Sequence, residues 1–490
     1  MNGIPQHVEL RTNPLLLTDV YKLGHMTQYA PGCDFVYSHL MARSTKTFPR
    51  TVFFGLQYYL RRYLTMKLEP WMADDFFKYY AQVLRQPCPD AVKEKIRRLV
   101  NYGRIPLKIM AVPEGTILPA RNVLMTISNT LPEFYWVVGF FESLLLKIWY
   151  TNTVATCSNA YRQLVLKHWR ECVDEEVRPW MGFAVHDFGY RGACSEESSG
   201  ISGIAHLVNF FGSDTVPAAP YAEAYYDAVD AVEPVMMSVP ASEHSVMCSY
   251  GRTDEFKAFE HMLDEYPSGH VSIVSDTYNV YNVLTDFASR LKDRIMAREG
   301  QVVFRPDSGD PELVVCGDPA AEADSPERLG CIRLLEKTFG STVNSKGFKV
   351  LDPHVRLIYG DGMYLARYAR ILETLRDMGY SPENLVIGVG GILRNHTRDT
   401  SGYAIKATVV RVNDEVREIE KDPITDPNKK SLKGFMRLYR DAVGNFITCD
   451  KVSMRDAFDA SYLNAVFEDG VITYNNTLGD IRQRVRGFDR

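Results

Sequence analysis

Residues 186–192 read His-Asp-Phe-Gly-Tyr-Arg-Gly and follow directly on the apolar run 182–185. An imidazole, a carboxylate, two rings, a guanidinium and two glycines make poor core material, because charges are rarely buried unpaired. The stretch therefore reads as a strand that ends in a site. Cations stand near this and similar clusters: Arg191, Arg305, Arg398, Lys406, Lys421 and Lys429, with Arg43 more remote. Each alone reads as a solvated surface charge. Converging, they would hold a phosphate or pyrophosphate through charge-assisted hydrogen bonds.

Asp276, Asp307 and Asp361 each follow an apolar run. Beside phosphate-binding cations, such carboxylates hold ribose hydroxyls or serve a magnesium ion, which prefers oxygen ligands. The plain alternative is three independent turn formers. His244, in Ser-Glu-His-Ser, has the chemistry of an acid, a base or a phosphate acceptor, or of a core histidine satisfied by the backbone. The run Gly-Val-Gly-Gly at 388–391 can cradle phosphate with backbone N–H groups or simply turn the chain. Neither P-loop nor dinucleotide spacing occurs, and no zinc or serine-hydrolase motif is found.

These clusters need elements to carry them. Short apolar runs at 183–185, 207–211, 235–239, 271–274, 302–304, 355–359 and 385–387 predict seven strands, with amphipathic helices such as 254–266 and 363–378 between most of them. Strand, cluster and helix in repetition imply parallel strands with crossover helices, and a closed parallel barrel gathers the loops after its strands on one face. An open doubly wound sheet is the runner-up, and it would leave several clusters idle.

Outside that rhythm, 14–29 predicts a short helix capped by Thr18, in which Asp19 and Tyr21 read as a first-turn acid and a packed ring. Residues 52–100 are helix-like, 105–128 a small meander, 131–150 a buried helix and 154–173 another. A surface loop is expected at 310–325, and strands at 403–412, 415–420, 435–439 and 445–448. The fold class is α/β: a parallel (β/α) barrel-like domain over 181–400, and a mixed α+β domain built from 1–180 and 401–490.

At 490 residues, with 46% hydrophobic and 24% charged residues, the chain reads as soluble and globular, with two or three domains. A formal charge of -5 argues against a general nucleic-acid or membrane-surface binder. Nine scattered cysteines without a Cys-x-x-Cys pair suit reduced thiols, and the amino terminus has no secretory h-region, so a cytoplasmic location is expected.

Taken in order, the segments resemble the nicotinamide phosphoribosyltransferase family, of type II phosphoribosyltransferase fold. The resemblance rests on 186–192, Gly-Ser-Asp-Thr at 212–215, Ser-Val-Pro-Ala-Ser-Glu-His at 238–244, Val-Ser-Asp-Thr-Tyr at 274–278 and Arg-Pro-Asp-Ser-Gly at 305–309. It continues through Gly-Asp-Gly at 360–362, Thr-Arg-Asp at 397–399 and the lysine-bounded 421–429, with 18–22 and 54–57 extending it to the amino terminus.

The resemblance implies transfer of phosphoribose from 5-phosphoribosyl 1-pyrophosphate to nicotinamide with magnesium, in a homodimer whose active site lies between subunits. It implies a pyridine ring stacked between Phe188 and the partner subunit's Tyr21, with Arg191 lining the base site and Asp214 accepting a hydrogen bond from the amide. Arg305, Asp307 and Asp361 would hold the ribose. Asp19, Arg43, Ser238, Ser272, Gly360, Gly390, Gly391, Arg398, Lys406, Lys421 and Lys429 complete the expected substrate contacts. Magnesium would be held mainly by pyrophosphate and water, supported by Asp276 and Asp307. His244 would be phosphorylated when ATP improves the equilibrium.

Two departures bear on phosphate binding: the glycine run before Thr397 is one residue short, and Ala404 stands where the family has a serine. The nearest rival is a nicotinate phosphoribosyltransferase, against which Asp214 argues, since carboxylate would face carboxylate. Other classes are a metal-dependent sugar-phosphate barrel enzyme and a non-catalytic binding protein on the same scaffold.

Overall fold

A computed structural model describes residues 9–229, 233–422, 424–425 and 431–489. The chain divides into two compact units, one of Met1–Thr153, Tyr225–Asp227 and Thr397–Arg484, the other of Val154–Ala224, Ala228–His396 and Val485–Arg490. Among the described residues, no helix is long and apolar enough to cross a membrane.

The first unit is built on a seven-stranded antiparallel sheet that both chain ends supply. Its order is Glu415–Glu418, Tyr403–Val412, Cys33–Ala42, Val123–Asn129, Leu107–Ala111, Asn464–Glu468 and Val471–Ile472. The β-branched run Thr-Val-Val within Tyr403–Val412 favours a pleated strand. Helices Pro70–Leu84 and Asp90–Tyr102 each place an apolar stripe inward: Met72, Ala73, Phe76 and Tyr80 in the first, Val92, Ile96 and Leu99 in the second.

The expected helix over 131–150 is broken into short pieces, Pro132–Phe134, Val137–Phe140 and Glu142–Leu146, before the long helix Ile148–Cys172 begins. Two outside donors take its carbonyls: Lys22 Nζ reaches Gly139 O at 2.7 Å and Thr18 Oγ1 reaches Phe140 O at 2.8 Å. Thr18 is therefore not a cap, and the segment after it is the 3-10 helix Val20–Thr27.

The second unit holds a parallel sheet of five strands in the order Val185–Asp187, Leu385–Val389, Val355–Tyr359, Val302–Arg305 and Val271–Val274. The expected strands at 207–211 and 235–239 do not form. Ser195 and Ser198 make a capping box that starts a helix at Glu196, and its apolar period runs on through Leu207. Near residue 237, flanked by Pro234 and Pro240, only single bridges occur. Parallel bridges join Asp187 to Ser213, Gly212 to Met237 and Ala241 to Ser272, linking the two edge strands through irregular chain. Within the expected loop 310–325, Asp310 caps a short helix, Pro311–Cys316, by accepting from Glu312 N at 3.0 Å.

Candidate active site

Strand register decides which side chains share a face of the parallel sheet. Ser272 pairs with Val303 and Val303 with Arg356; two residues on, Ile358 pairs with Val386; two further, Gly388 pairs with His186. Side chains alternate along a strand, so these positions and Gly360 point the same way. A cavity of about 540 Å³ opens on that face, lined by Ser272, Val303, Arg356, Ile358, Val386 and His186, with Ser238, Trp169 and Trp180 among its other walls.

Phe188, two residues beyond His186, closes the row. Its backbone N donates to Val389 O at 3.0 Å, and its ring lies over the two glycines of the face. A Cβ on Gly388 would stand 2.9 Å from the ring's Cγ and closer to two edge carbons, and a Cβ on Gly360 would stand 3.2 Å from Cε2. Asp307 flanks Gly360 on its other side, Oδ1 lying 2.8 Å from such a Cβ. The glycines are thus what lets an aromatic ring lie flat on the strand ends.

The loop 212–215 is tied to the same strand, Asp214 N donating to Asp187 O at 2.9 Å. Asp214 is exposed and its carboxylate accepts from Ser238 Oγ. His186 packs against Gly212 and is held below the usual histidine range by burial, with Asp214 and Asp187 pulling the other way. Arg191 is exposed in the turn Tyr190–Gly192.

A second group gathers after the neighbouring strands. Arg305 leaves its strand opposite Val274 and donates from Nη2 to Ser242 O at 2.8 Å. His244 Nε2 lies 3.8 Å from Asp276 Oδ1, and its Nδ1 is 3.3 Å from Thr277 Oγ1. Asp276 has a side chain only 5% exposed, yet neither carboxylate oxygen has a hydrogen-bond partner among the described residues. Asp307 is held above the usual carboxylate range by burial, with Arg305 pulling it down and Asp276 and Asp361 pushing it up. Five ionisable groups therefore share one electrostatic neighbourhood, and one of the carboxylates, Asp276, keeps unused acceptor capacity.

The first unit carries its own cluster. Lys406, in the strand Tyr403–Val412, is held below the usual lysine range by burial; Glu142 opposes this, while Arg43, Lys421 and Arg398 add to it. Arg43 Nε donates to Gly402 O at 3.1 Å, and Arg398 begins a helical turn closed by a Thr397–Thr400 capping box. Lys406 thus stands buried among like charges, an environment that favours an anionic ligand. Ala404 lies on the same face of the strand as Lys406 and brings no hydroxyl there. Asp19, which accepts from Ser143 Oγ, and the 63%-exposed Tyr21 also belong to this unit. Lys429 lies outside the described residues.

This arrangement has relatives. Residues 183–471 match the nicotinate phosphoribosyltransferase (NAPRTase) family, and residues 13–82 match the nicotinamide phosphoribosyltransferase N-terminal domain. A nicotinamide phosphoribosyltransferase of Acinetobacter baylyi is 39% identical, over 98% of this chain and 98% of its own. The chain belongs to the nicotinamide phosphoribosyltransferase family. A second member, from Xanthomonas campestris pv. campestris, is 37% identical over 96% of this chain and 97% of its own. In fold, the chain is similar to the human nicotinic acid phosphoribosyltransferase structure (TM-score 0.59, 16% identity, covering 96% of this chain and 93% of that one). It is likewise similar to a nicotinate-nucleotide pyrophosphorylase from Pyrococcus furiosus (TM-score 0.58, 15% identity, 99% and 98%). The fold is a mixed α/β one with a parallel sheet, similar to that of type II phosphoribosyltransferases.

Within this family frame, sequence reasoning missed two residues, Arg356 and Arg394. Arg356 reaches the cavity from mid-strand, its guanidinium donating to Leu351, Asp352 and Val355 carbonyls at 3.2, 3.1 and 2.8 Å. Its signal was available, since a cation inside an apolar run is out of place. Arg394, buried beneath the glycine loop, left no such signal in its polar surroundings.

Proposed function

We propose that this protein transfers the 5-phosphoribosyl group from 5-phosphoribosyl 1-pyrophosphate to nicotinamide, forming nicotinamide mononucleotide and pyrophosphate in NAD salvage. The observation that carries the reading is the exposed Asp214 carboxylate, held by Ser238 on a loop tied to the strand that presents Phe188. A ring laid on Phe188 would offer its amide N–H to Asp214, an interaction open to nicotinamide and closed to nicotinate.

In the reaction the bond between ribose C1 and pyrophosphate oxygen breaks as the ring nitrogen bonds C1. Positive charge grows on the ribose and negative charge on the leaving group. Stacking on Phe188 and the hydrogen bond to Asp214 hold the nitrogen in line; Arg191 lines the same base site. Arg305, Asp307 and Asp361 hold the ribose, with Gly360, Gly390 and Gly391 leaving room for it. Arg43, Arg398, Lys406, Lys421 and Lys429 take phosphate oxygens, Ala404 lowering affinity there. No protein nucleophile is required; positioning and charge stabilisation supply the acceleration.

The residues fit a magnesium ion carried mainly by the substrate. Asp276 keeps both oxygens unpartnered, while no three His, Cys, Asp or Glu side chains among the described residues form a metal site of their own. Bound, such an ion would supply countercharge to pyrophosphate, and Asp276 and Asp307 would be the residues to help hold it. His244, with a side chain 46% exposed, takes the γ-phosphoryl group of ATP, with ADP leaving.

The active form is a homodimer in which the partner subunit's Tyr21 faces the ring from the side opposite Phe188. The bridges linking the edge strands support a (β/α) barrel-like domain over 181–400, with an α+β domain from 1–180 and 401–490. Nine free cysteines suit a cytoplasmic location. Incubation with nicotinamide, phosphoribosyl pyrophosphate and magnesium tests the reading: mononucleotide and pyrophosphate should appear in equal amounts, and their absence would refute it.

A further inference from the structure

We infer that Arg394 is the positioning residue of the base site: one buried guanidinium ties the loops that carry Phe188 and Asp214 to the end of the glycine run. The inference rests on the assignment of nicotinamide as substrate and names what gives its site a fixed shape.

Arg394 sits one turn past the glycine run, and its side chain is 1% exposed. Its Nη1 and Nη2 donate to the two oxygens of Asp187 at 2.6 and 2.7 Å, a bidentate pair with a carboxylate that is itself fully buried. Burial alone would raise the Asp187 pKa, but the Arg394 bonds and charge outweigh it and hold the carboxyl below its usual range. Two further donors are also used: Nε reaches Ser202 Oγ at 2.9 Å, and Nη2 reaches Thr215 Oγ1 at 3.4 Å.

Each partner leads to a different part of the site. Asp187 immediately precedes Phe188, and its Oδ1 also accepts from Gly189 N at 2.8 Å, which fixes the exit of the chain around the ring. Thr215 immediately follows Asp214. Ser202 lies in the helix Glu196–Leu207 that follows the 186–192 loop. Arg394 N donates to Gly391 O at 2.8 Å, which closes the glycine run beneath it.

The loops meet with no slack. A Cβ on Gly189 would stand 2.9 Å from Arg394 Cζ and 2.9 Å from Gly390 O, and one on Gly192 would stand 2.8 Å from Gly391 Cα. A planar fork with fixed donor directions can hold three such elements to its own loop at once, whereas a flexible ammonium cannot. Arg394 is placed to touch neither substrate; it acts through Phe188 and Asp214. Losing the fork should therefore loosen the base site and spare the ribose- and phosphate-binding side chains, which hang on other strands or on the first unit; the glycine run stays closed by the Arg394 backbone bond to Gly391 O, which the substitutions keep.

The test compares Arg394→Lys, Arg394→Gln and the double variant Asp187→Asn/Arg394→Gln, with KM for nicotinamide and for phosphoribosyl pyrophosphate measured separately and melting curves recorded. The double variant removes both buried charges, so it regains folding that Arg394→Gln loses. The expected result is a nicotinamide KM raised at least about tenfold in Arg394→Lys and in the double variant, with the pyrophosphate-substrate KM within about twofold. A nicotinamide KM that returns to the unsubstituted value once folding is regained would overturn the inference, as would equal rises in both KM values. If the Arg394 variants do not fold, Ser202→Ala and Thr215→Val each remove one bond and leave the ion pair; the nicotinamide KM should rise in both, and no change in either refutes the proposal. Unsubstituted protein that does not turn over nicotinamide would instead refute the substrate assignment.

Discussion

The Phe188 ring occupies the space that a side chain at position 388 would need. Gly388 pairs with His186, two residues before Phe188, and Phe188 N donates to Val389 O at 3.0 Å. The ring is therefore pinned to the strand beside it by the backbone and laid over that strand by the missing Cβ.

Gly388→Ala should displace this ring without unfolding the sheet, since the clash is with one side chain at a strand end. Nicotinamide KM should rise by about tenfold or more, as expected of a reacting group moved by a fraction of an ångström to an ångström. Steady-state kinetics beside a thermal melt check this. An unchanged KM with native stability would mean that Phe188 does not hold the base.

Asp214→Asn replaces an acceptor-only carboxylate by an amide that can donate to a substrate carboxylate. The variant should accept nicotinate and lose part of its preference for nicotinamide. Competition between the two bases, read as the mononucleotide ratio, measures the change. An unaltered ratio counts against selection by Asp214.

His244 is expected to carry phosphate after incubation with ATP labelled in the γ-phosphoryl group. Peptide mapping should place an acid-labile label on the peptide containing His244, and His244→Asn should abolish it. Label on another peptide, or none, contradicts the assignment.

The segments that were legible share one property: their chemistry is local. The strands Val271–Val274, Val355–Tyr359 and Tyr403–Val412 fall where apolar or β-branched runs end in polar clusters. The run 207–211 misled because its first residue, Leu207, ends a helix whose start, the Ser195–Ser198 box, lies twelve residues upstream, and the rest of the run turns out of that helix. The irregular stretch around Met237 belongs to the sheet region through backbone bridges, which composition does not encode. Asp187 and Arg394 lie 207 residues apart, and only the fold brings them together.

Buried histidines make stability depend on pH. Burial drops His206 from 6.5 to about 4, with Asp187 opposing and Arg394 and His186 adding to it, and His39 falls similarly beside Lys406 and Asp450. His206 donates from Nε2 toward Val185 O and Gly212 O at 3.3 and 3.2 Å, which leaves Nδ1 to accept from Ser158 at 3.0 Å. Between pH 6.5 and about 4 the unfolded chain binds protons at these residues that the folded chain refuses. Stability should therefore fall as pH drops through that window, by up to about 1.4 kcal/mol per pH unit for each histidine. Melting temperatures at pH 7 and pH 5 should lie closer together in His206→Gln than in the unsubstituted protein. An equal gap would show that His206 does not contribute.

The most direct test of the central claim is the ratio of kcat/KM for nicotinamide to kcat/KM for nicotinate, measured on the unsubstituted protein with phosphoribosyl pyrophosphate and magnesium. The account predicts a ratio of roughly one hundred or more in favour of nicotinamide, the scale set by giving the Asp214 carboxylate an amide donor or facing it with a second carboxylate. A ratio near one, or a preference for nicotinate, would contradict it.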